Sequence, residues 1–582
     1  DNLTLTGTTP MQDEHFIAGK DASLEHSIQT MQAGLARMGF DIEECTWLNP
    51  VDNVWSVHIR NRACPLMFTN GKGATRLAAL ASALGEYFER LACNYFWNHY
   101  YLGEAIANRP FAHYPRERWF PVSDTVWPQT LLTPELHAFY NPEGSIPAET
   151  LIDMNTGHYE RGICAIPYIR QRDNAEVFFP VNIISNLYVS NGMSAGNTPA
   201  EARAQALSEI LERYVKFKVI AEGLCLPDVP EAVIARYPAI AAGIAGLRAA
   251  GFGVLVKDAS LGGKYPVLCV TLLNPEDQGL FASFGAHPRF EIALERALTE
   301  LLQGRALDAL GGFPPPGLDL EEVASAPNIE IHFVDSSGIV HWQFLNEMPD
   351  YDFCDWQFSD STAADYQWLC DCIHADEHDI YIADFDHLGV YACRILVPGM
   401  SEIYPVDDLE WENNSSGAVV RPAILNLAEL DDEHCGQLLD ILNELNLADE
   451  KPVAALIGLA PDADSLWADL RVGELKTLLA LAIGDADAVL EGCEWIRQFE
   501  QLDAGRRRVY RCIATLLEMD DPNAYEEALV SLYGEETLDM ATDLIDGELR
   551  FFGLQSPGPD LEGCILHRQL LAEYEKTQLL KS

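Results

Sequence analysis

Residues 191–213, NGMSAGNTPAEARAQALSEILER, decide how the rest of the chain is read. Thr198-Pro199-Ala200-Glu201 combines a helix N-cap, a proline suited to the first helical position and a capping-box acid, which predicts a helix starting here and running through Tyr214. Along it Glu201, Gln205, Glu209 and Glu212 recur at spacings of four, four and three, so their side chains share one face. Carboxylates stacked in this way repel, and such a face needs a compensating charge.

The pattern recurs on both sides. Residues 70–90, NGKGATRLAALASALGEYFER, place an Asn-Gly loop before a helix carrying Ser82, Glu86, Glu89 and Arg90. A weaker copy runs from Gly285 through Arg296, Glu300, Gln303 and Arg305. Aligning Glu86, Glu209 and Glu300 brings Ser82, Gln205 and Arg296 into register four residues earlier, and Glu89, Glu212 and Gln303 three residues later. The separation of Gly71 from Glu86 equals that of Gly285 from Glu300. Repeated polar positions are harder to obtain from core packing than repeated apolar ones.

Strand signals precede each acidic helix. Val54–Ile59 and Leu66–Thr69 lead into the first, the apolar run Phe178–Val189 into the second, and Gly253–Lys257, Pro266–Leu273 and Leu280–Phe284 into the third. Upstream, an apolar stripe of Leu24, Ile28, Met31 and Leu35 predicts a helix from Asp21 to Met38, with Lys20 before it and Ser27 at the stripe's edge. The aromatic, proline-rich text from Phe96 to about Arg170 predicts short elements and long loops covering the site. Two more strands are expected around Asp384–Gly389. Beyond Ala423, leucine and alanine at helical spacing replace the strand signals. The expected class is therefore α+β, with residues 11–425 as one domain and 426–582 as an all-helical, weakly tetratricopeptide-like domain suited to partner binding or assembly, including a homodimer. Residues 1–10 read as a polar leader before Met11.

Bulk properties narrow the function. With 38 Lys and Arg against 89 Asp and Glu, the formal charge of −51 argues against direct nucleic-acid binding and against an anionic membrane surface. Fourteen scattered cysteines and no long apolar run point to a cytoplasmic protein. There is no Walker loop, no H-E-x-x-H and no cysteine triplet spaced for an iron–sulfur cluster. Cys370-Asp371-Cys372-Ile373-His374 is a lone group without the second pair that a zinc site needs. Gly192-Met193-Ser194-Ala195-Gly196 matches a hydrolase elbow in letters, but the helix signals begin only at Thr198, so Ser194 reads better as a loop hydrogen-bond donor.

If Glu86, Glu89, Glu201, Glu209, Glu212 and Glu300 converge, the site is too anionic to stand alone, and Mg²⁺ suits carboxylate oxygens. A nucleoside triphosphate held through Mg²⁺, with Lys20, Arg213 and Arg296 as direct charge partners and the Asn/Ser/Gly loop as donors, amounts to phosphate binding without a P-loop. Three helices with solvated acidic faces are the competing reading, and spacing alone leaves the two even.

The motifs TNGKGATRLAALASALGEYFER, SNGMSAGNTPAEARAQALSEILERY, ALERALTELLQGR and VPGM resemble those of the YcaO family over roughly Phe16–Pro405. The resemblance implies ATP and Mg²⁺ as cofactors. It implies nucleotide contacts at Lys20, Ser27, Ser194, Asn197, Arg213 and Arg296, and Mg²⁺ or phosphate duty for Glu86, Glu89, Glu201, Glu209, Glu212 and Glu300; a plain capping role competes for Glu201. Many members phosphorylate an amide carbonyl oxygen so that a nucleophile can add. Azoline-forming members end in a proline-rich tail, whereas this chain ends LLAEYEKTQLLKS, so heterocycle formation is not expected. The resemblance instead implies an accessory role in β-methylthiolation of a small-subunit ribosomal protein, beside a separate methylthiotransferase. A non-catalytic nucleotide-binding scaffold for that partner is the alternative. No residue is assigned as catalytic.

Overall fold

The computed structural model describes residues 13–156 and 160–581; the expected leader lies outside them. Its strands are β1 (Ile42–Val51), β2 (Val54–Asn61), β3 (Phe68–Gly73), β4 (Arg118–Phe120), β5 (Ile163–Arg170), β6 (Glu176–Pro180), β7 (Met193–Gly196), β8 (Gly253–Asp258), β9 (Val267–Leu273), β10 (Leu280–Ala286), β11 (Tyr381–Phe385) and β12 (Tyr391–Leu396). They form three antiparallel sheets. Two have three strands each, ordered β1-β2-β3 and β10-β9-β8, and the third runs β4-β5-β11-β12-β7 with β6 on β5. With the helices between and after them, this is the mixed α+β class that the sequence predicts.

Each sheet hands the chain to one acidic helix. β3 leads to the helix Arg76–Ala92, β7 to Pro199–Glu222 and β10 to Phe290–Leu302. Thr198 caps the middle helix as expected, its hydroxyl accepting from Glu201 N at 3.2 Å, and Thr75 caps the first by accepting from Ala78 N at 3.1 Å. The middle helix buries Ala202, Ala206, Leu207, Ile210, Leu211, Val215 and Val219 and continues two turns beyond Tyr214 before Gly223 ends it in the left-handed region at φ 62°. The helix predicted from Asp21 begins at Leu24, because Ser23 caps it by accepting from His26 N.

Three readings need correction. The run Phe178–Val189 is strand only through Pro180; the chain then coils through Val181–Tyr188 and ends at Val189 with φ 52° and ψ −112°. A short, mostly apolar run fits a buried strand and a buried helical segment equally. The signal that separates them is Asn182 and Asn186, four apart, which bond to each other and to the Asn413–Asn414 turn. The aromatic stretch from Phe96 does not cover the site. Trp97, Tyr114, Trp127 and Tyr140 instead fill a core shared with the six-stranded sheet. β1 has no counterpart among the strands expected from the sequence: its residues alternate poorly, and its pairing with β2 slips at Glu44/Thr46 and at Leu48/Val51.

From Arg421 onward the described residues are helical, with Val472–Ile483, Ala486–Gln498, Ala504–Glu518 and Glu535–Asp546 around their own leucine-rich core. The last long helix, Ile565–Gln578, returns to the front of the molecule. Leu570 and Tyr574 join the core of the aromatic stretch, Trp97 Nε1 donates to Leu570 O at 3.0 Å, and Asn61 donates to Glu573 at 2.9 Å. Among the described residues, no helix is long and apolar enough to cross a membrane.

Candidate functional site

The first and last acidic helices sit on their strands through the same contacts. A Cβ on Gly71 would lie 2.0 Å from Ala79 O and 2.4 Å from Ala83 N, and one on Gly285 would lie 2.4 Å from both Ala293 O and Ala297 N. Only glycine admits a helix this close. Ser194 occupies the equivalent place before Glu209, so the middle unit sits differently on its strand: there the helix start comes close at Gly196, where a Cβ would lie 2.5 Å from Glu201 Oε2 and 3.1 Å from Ala202 N.

The three helices and the N-terminal segment enclose one cavity of about 1050 Å³. Every residue assigned to the site lines it: Lys20, Ser27, Ser194, Asn197, Arg213 and Arg296, together with Glu86, Glu89, Glu201, Glu209, Glu212 and Glu300. The reading of three separate solvated acidic faces does not describe this arrangement. Ser82, Gln205 and Gln303, which the repeat brings into register, line it too, as do Lys72, Arg90, Glu295 and residues Phe333–Ser336, where the helix Ala326–Val334 runs out into a loop. Lys72 was legible as the lysine of NGKG. Nothing in the sequence marks the Phe333 loop, which reaches the site because Lys216 on the middle helix holds it, donating to His332 O at 2.8 Å and Ser336 Oγ at 2.5 Å.

Two halves of the site are built differently. At the loop end, Glu201 is buried and its carboxylate is saturated, accepting from Asp21 N at 2.7 Å, Asn197 N at 2.9 Å and Asn197 Nδ2 at 2.8 Å. It reaches past its own N-cap residue and ties the segment before the first helix to the Asn197 loop. Ser27 Oγ donates to Asn197 Oδ1 at 2.9 Å, which closes the same corner. Ser194 lies in strand β7, opposite Cys393, rather than in the expected loop; it is buried, and its hydroxyl donates only weakly, to Ala195 O at 3.5 Å, with no base beside it.

At the helix end the carboxylates crowd one another. Glu86 pairs with Arg90 at 2.8 Å, Glu209 with Arg213, and Glu300 with Lys72. Arg213 also donates to Asn191 Oδ1 at 3.0 Å, fixing the Asn-Gly loop. Among the described residues Glu89 and Glu212 have no cation at ion-pair distance. Burial pushes the Glu89 carboxyl well above the usual carboxylate range, with Glu209 and Glu86 adding to the shift. Glu86 and Glu212 rise as well, burial again first, against the opposing pull of Arg90 and Lys72 respectively. Burial lowers the Arg296 guanidinium, and Glu212 opposes the shift.

These residues fit Mg²⁺ of a particular kind. The donors are all carboxylate oxygens, held where their negative charge is disfavoured, and a divalent cation relieves that cost. Yet among the described residues no three His, Cys, Asp or Glu close on one point, so a Mg²⁺ ion held here would need further oxygens from phosphate or water. Cys370 is buried, and Cys372 donates to Lys264 O.

A mixed α+β fold whose three strand–loop–helix units line one large acidic cavity defines a nucleotide- and magnesium-binding class, and the comparisons name it. The chain belongs to the YcaO family: the family model described as YcaO cyclodehydratase, ATP- and Mg²⁺-binding, matches residues 70–401, and that of the family's C-terminal domain matches 417–582. The chain is 51% identical over 578 residues, 97% of its length and 98% of the relative's, to the ribosomal protein S12 methylthiotransferase accessory factor YcaO of Escherichia coli, and 47% identical, over 98% of its length and 99% of the relative's, to an uncharacterized protein of Haemophilus influenzae. Among solved structures it resembles YcaO from Methanopyrus kandleri bound with AMPPCP and Mg²⁺, at 17% identity and a TM-score of 0.41, covering 67% of this chain and 95% of that one.

Proposed function

We propose that this protein binds ATP through Mg²⁺ in the acidic cavity and uses it in support of β-methylthiolation of a small-subunit ribosomal protein, working beside a separate methylthiotransferase in the cytoplasm. One observation carries the nucleotide part: the basic residues Lys20, Lys72, Arg213 and Arg296 and carboxylates from all three acidic helices line a single cavity. The ribosomal part rests on the relative that shares half its residues over nearly the whole chain.

Within this reading Lys20, Ser27, Ser194, Asn197, Arg213 and Arg296 contact the nucleotide, and Glu86, Glu89, Glu209, Glu212 and Glu300 meet the metal and phosphates. Glu201 acts mainly by holding the Asn197 loop against the first helix. The other carboxylates would hold Mg²⁺, which would supply positive charge to offset that of the nucleotide phosphates. Arg213 and Arg296 supply fixed positive charge, and the cavity walls limit water. An amide carbonyl oxygen of the protein substrate is the acceptor that best matches a site with charge to offer and no assigned general base. The helical region after Ala423 provides surface for the methylthiotransferase or for a second copy of the chain.

Calorimetry with ATP, with and without Mg²⁺, tests the first part, and Mg²⁺-independent or absent binding overturns it. Phosphorus NMR with the ribosomal protein as acceptor tests the second. Transfer that depends on the acceptor supports activation, whereas binding without acceptor-dependent turnover favours a scaffold.

A further inference from the structure

Of the ion pairs in the cavity, two stay within a single helix, Glu86 with Arg90 and Glu209 with Arg213, each four residues apart. The pair Lys72–Glu300 is different, because it joins β3 of the first unit to the Phe290 helix of the last. Its position follows from the strand. Gly71 and Gly73 occupy the face of β3 that the Arg76 helix covers, where any Cβ would collide with Ala79, Ala83 or Ala78. Strand side chains alternate, so Lys72 leaves by the opposite face, into the cavity and onto Glu300. The backbone is pinned there: Lys72 N donates to Ser82 Oγ at 3.3 Å, and Gln303 Nε2 donates to Asn70 O at 2.9 Å. The Lys72 ammonium also feels Glu212 and Glu209 of the middle helix and Glu86 of the first. Lys72 thus meets carboxylates carried by all three acidic helices.

A lysine ammonium is a compact point charge on a flexible stem, and carboxylate oxygens gathered round such a charge are what a hard divalent cation also requires. We propose that Lys72 is the resident cation of this cavity: it holds Glu300 and neutralises the meeting point of the three acidic helices in the metal-free protein, and Mg²⁺ must take Glu300 from it. Lys72 is thus a positioning residue, and loading the site is a cation exchange. The inference rests on the Mg²⁺–nucleotide reading above and adds to it an internal competitor that sets how much Mg²⁺ the site demands.

The experiment is a Mg²⁺ titration of the full chain, with and without ATP, followed by thermal shift and by calorimetry, for the native protein, K72R, K72M and K72Q. In K72M and K72Q the metal-free protein should melt lower, and the Mg²⁺ midpoint should fall about tenfold, because the competitor is gone. K72R, which keeps the charge, should behave like the native protein. In an E300Q background, where the contested carboxylate is absent, K72M should no longer move the midpoint. Should one neutral variant fail to fold, the other carries the comparison. A midpoint that is unchanged or raised in the neutral variants, with the native protein still responding to Mg²⁺, overturns the role of Lys72 and leaves the nucleotide reading standing. A native protein whose ATP binding ignores Mg²⁺ overturns both.

Discussion

Thr69 and Ser283 make the same bond in two different sheets: Thr69 Oγ1 donates to Ala83 O at 2.7 Å, and Ser283 Oγ donates to Ala297 O at 2.8 Å. Each hydroxyl stands two residues before the glycine that lets its helix approach, and each accepting carbonyl lies one turn before Glu86 or Glu300. Strand hydroxyl, strand glycine and helix carbonyl together set where the acidic face points, so the repeat is one of geometry as well as of letters.

The glycines should tolerate nothing larger. Gly71→Ala and Gly285→Ala each drive a methyl group into helix backbone, and such overpacking costs about 1–3 kcal/mol. Thermal melts should drop for both, and ATP affinity should fall in the folded fraction because the helix carrying Glu86 or Glu300 is displaced. A Gly71→Ala protein that melts like the parent would contradict the close packing.

Two glutamates of one helix should respond in opposite ways. Glu209→Gln removes a charge from the crowded end, so Mg²⁺-dependent ATP affinity should fall about tenfold or more, ~1.4 kcal/mol, with no loss of stability in the ligand-free protein. Glu201→Gln puts an amide where three N–H groups converge, which costs about 1–3 kcal/mol of stability. Melting curves without ligand, set beside calorimetry, separate the two; equal destabilisation by both would mean that Glu209 is structural.

The terminal helix should matter to the front of the molecule. Tyr574 is fully buried, stacks edge-on against Trp97 with ring centroids 5.0 Å apart, and its hydroxyl accepts from Lys581 Nζ at 3.1 Å. Tyr574→Ala should cost about 3–5 kcal/mol, and protease protection of the segment around Trp97 should fall with it. If only the helical region loosens, the two cores are less coupled than these contacts imply.

Acid should weaken the same junction. His567 is buried, with Nδ1 accepting from Ala460 N at 2.9 Å and Nε2 on Tyr101 O at 2.7 Å, and burial pushes its pKa from 6.5 down to about 4. A base depressed in the folded state gives its full stability above the unfolded value and loses it as pH falls from about 6.5 toward about 4, up to about 3 kcal/mol for one such group. His287 and His332 shift in the same direction. Urea denaturation at about pH 7 and about pH 5 should show the loss, and His567→Gln should flatten part of it; an unchanged slope would place the acid sensitivity elsewhere.

Helix periodicity and capping are local, so the chain's own text determined the three acidic helices, the start of the middle one at Thr198 and the excess of negative charge that calls for a cation. It also marked Gly71 and Gly285 as equivalent through their common distance to a glutamate. Other features depended on contacts between residues far apart in the chain, which only the packed sheets decide. The capture of Glu201 by Asp21 N, the meeting of Lys72 with Glu300, the Phe333 loop held by Lys216 and the return of Tyr574 to Trp97 are of this kind. Alternation along β3 sends Lys72 away from the first helix, but what it meets there is set by how the β10–helix unit packs against the first sheet, and no local rule encodes that.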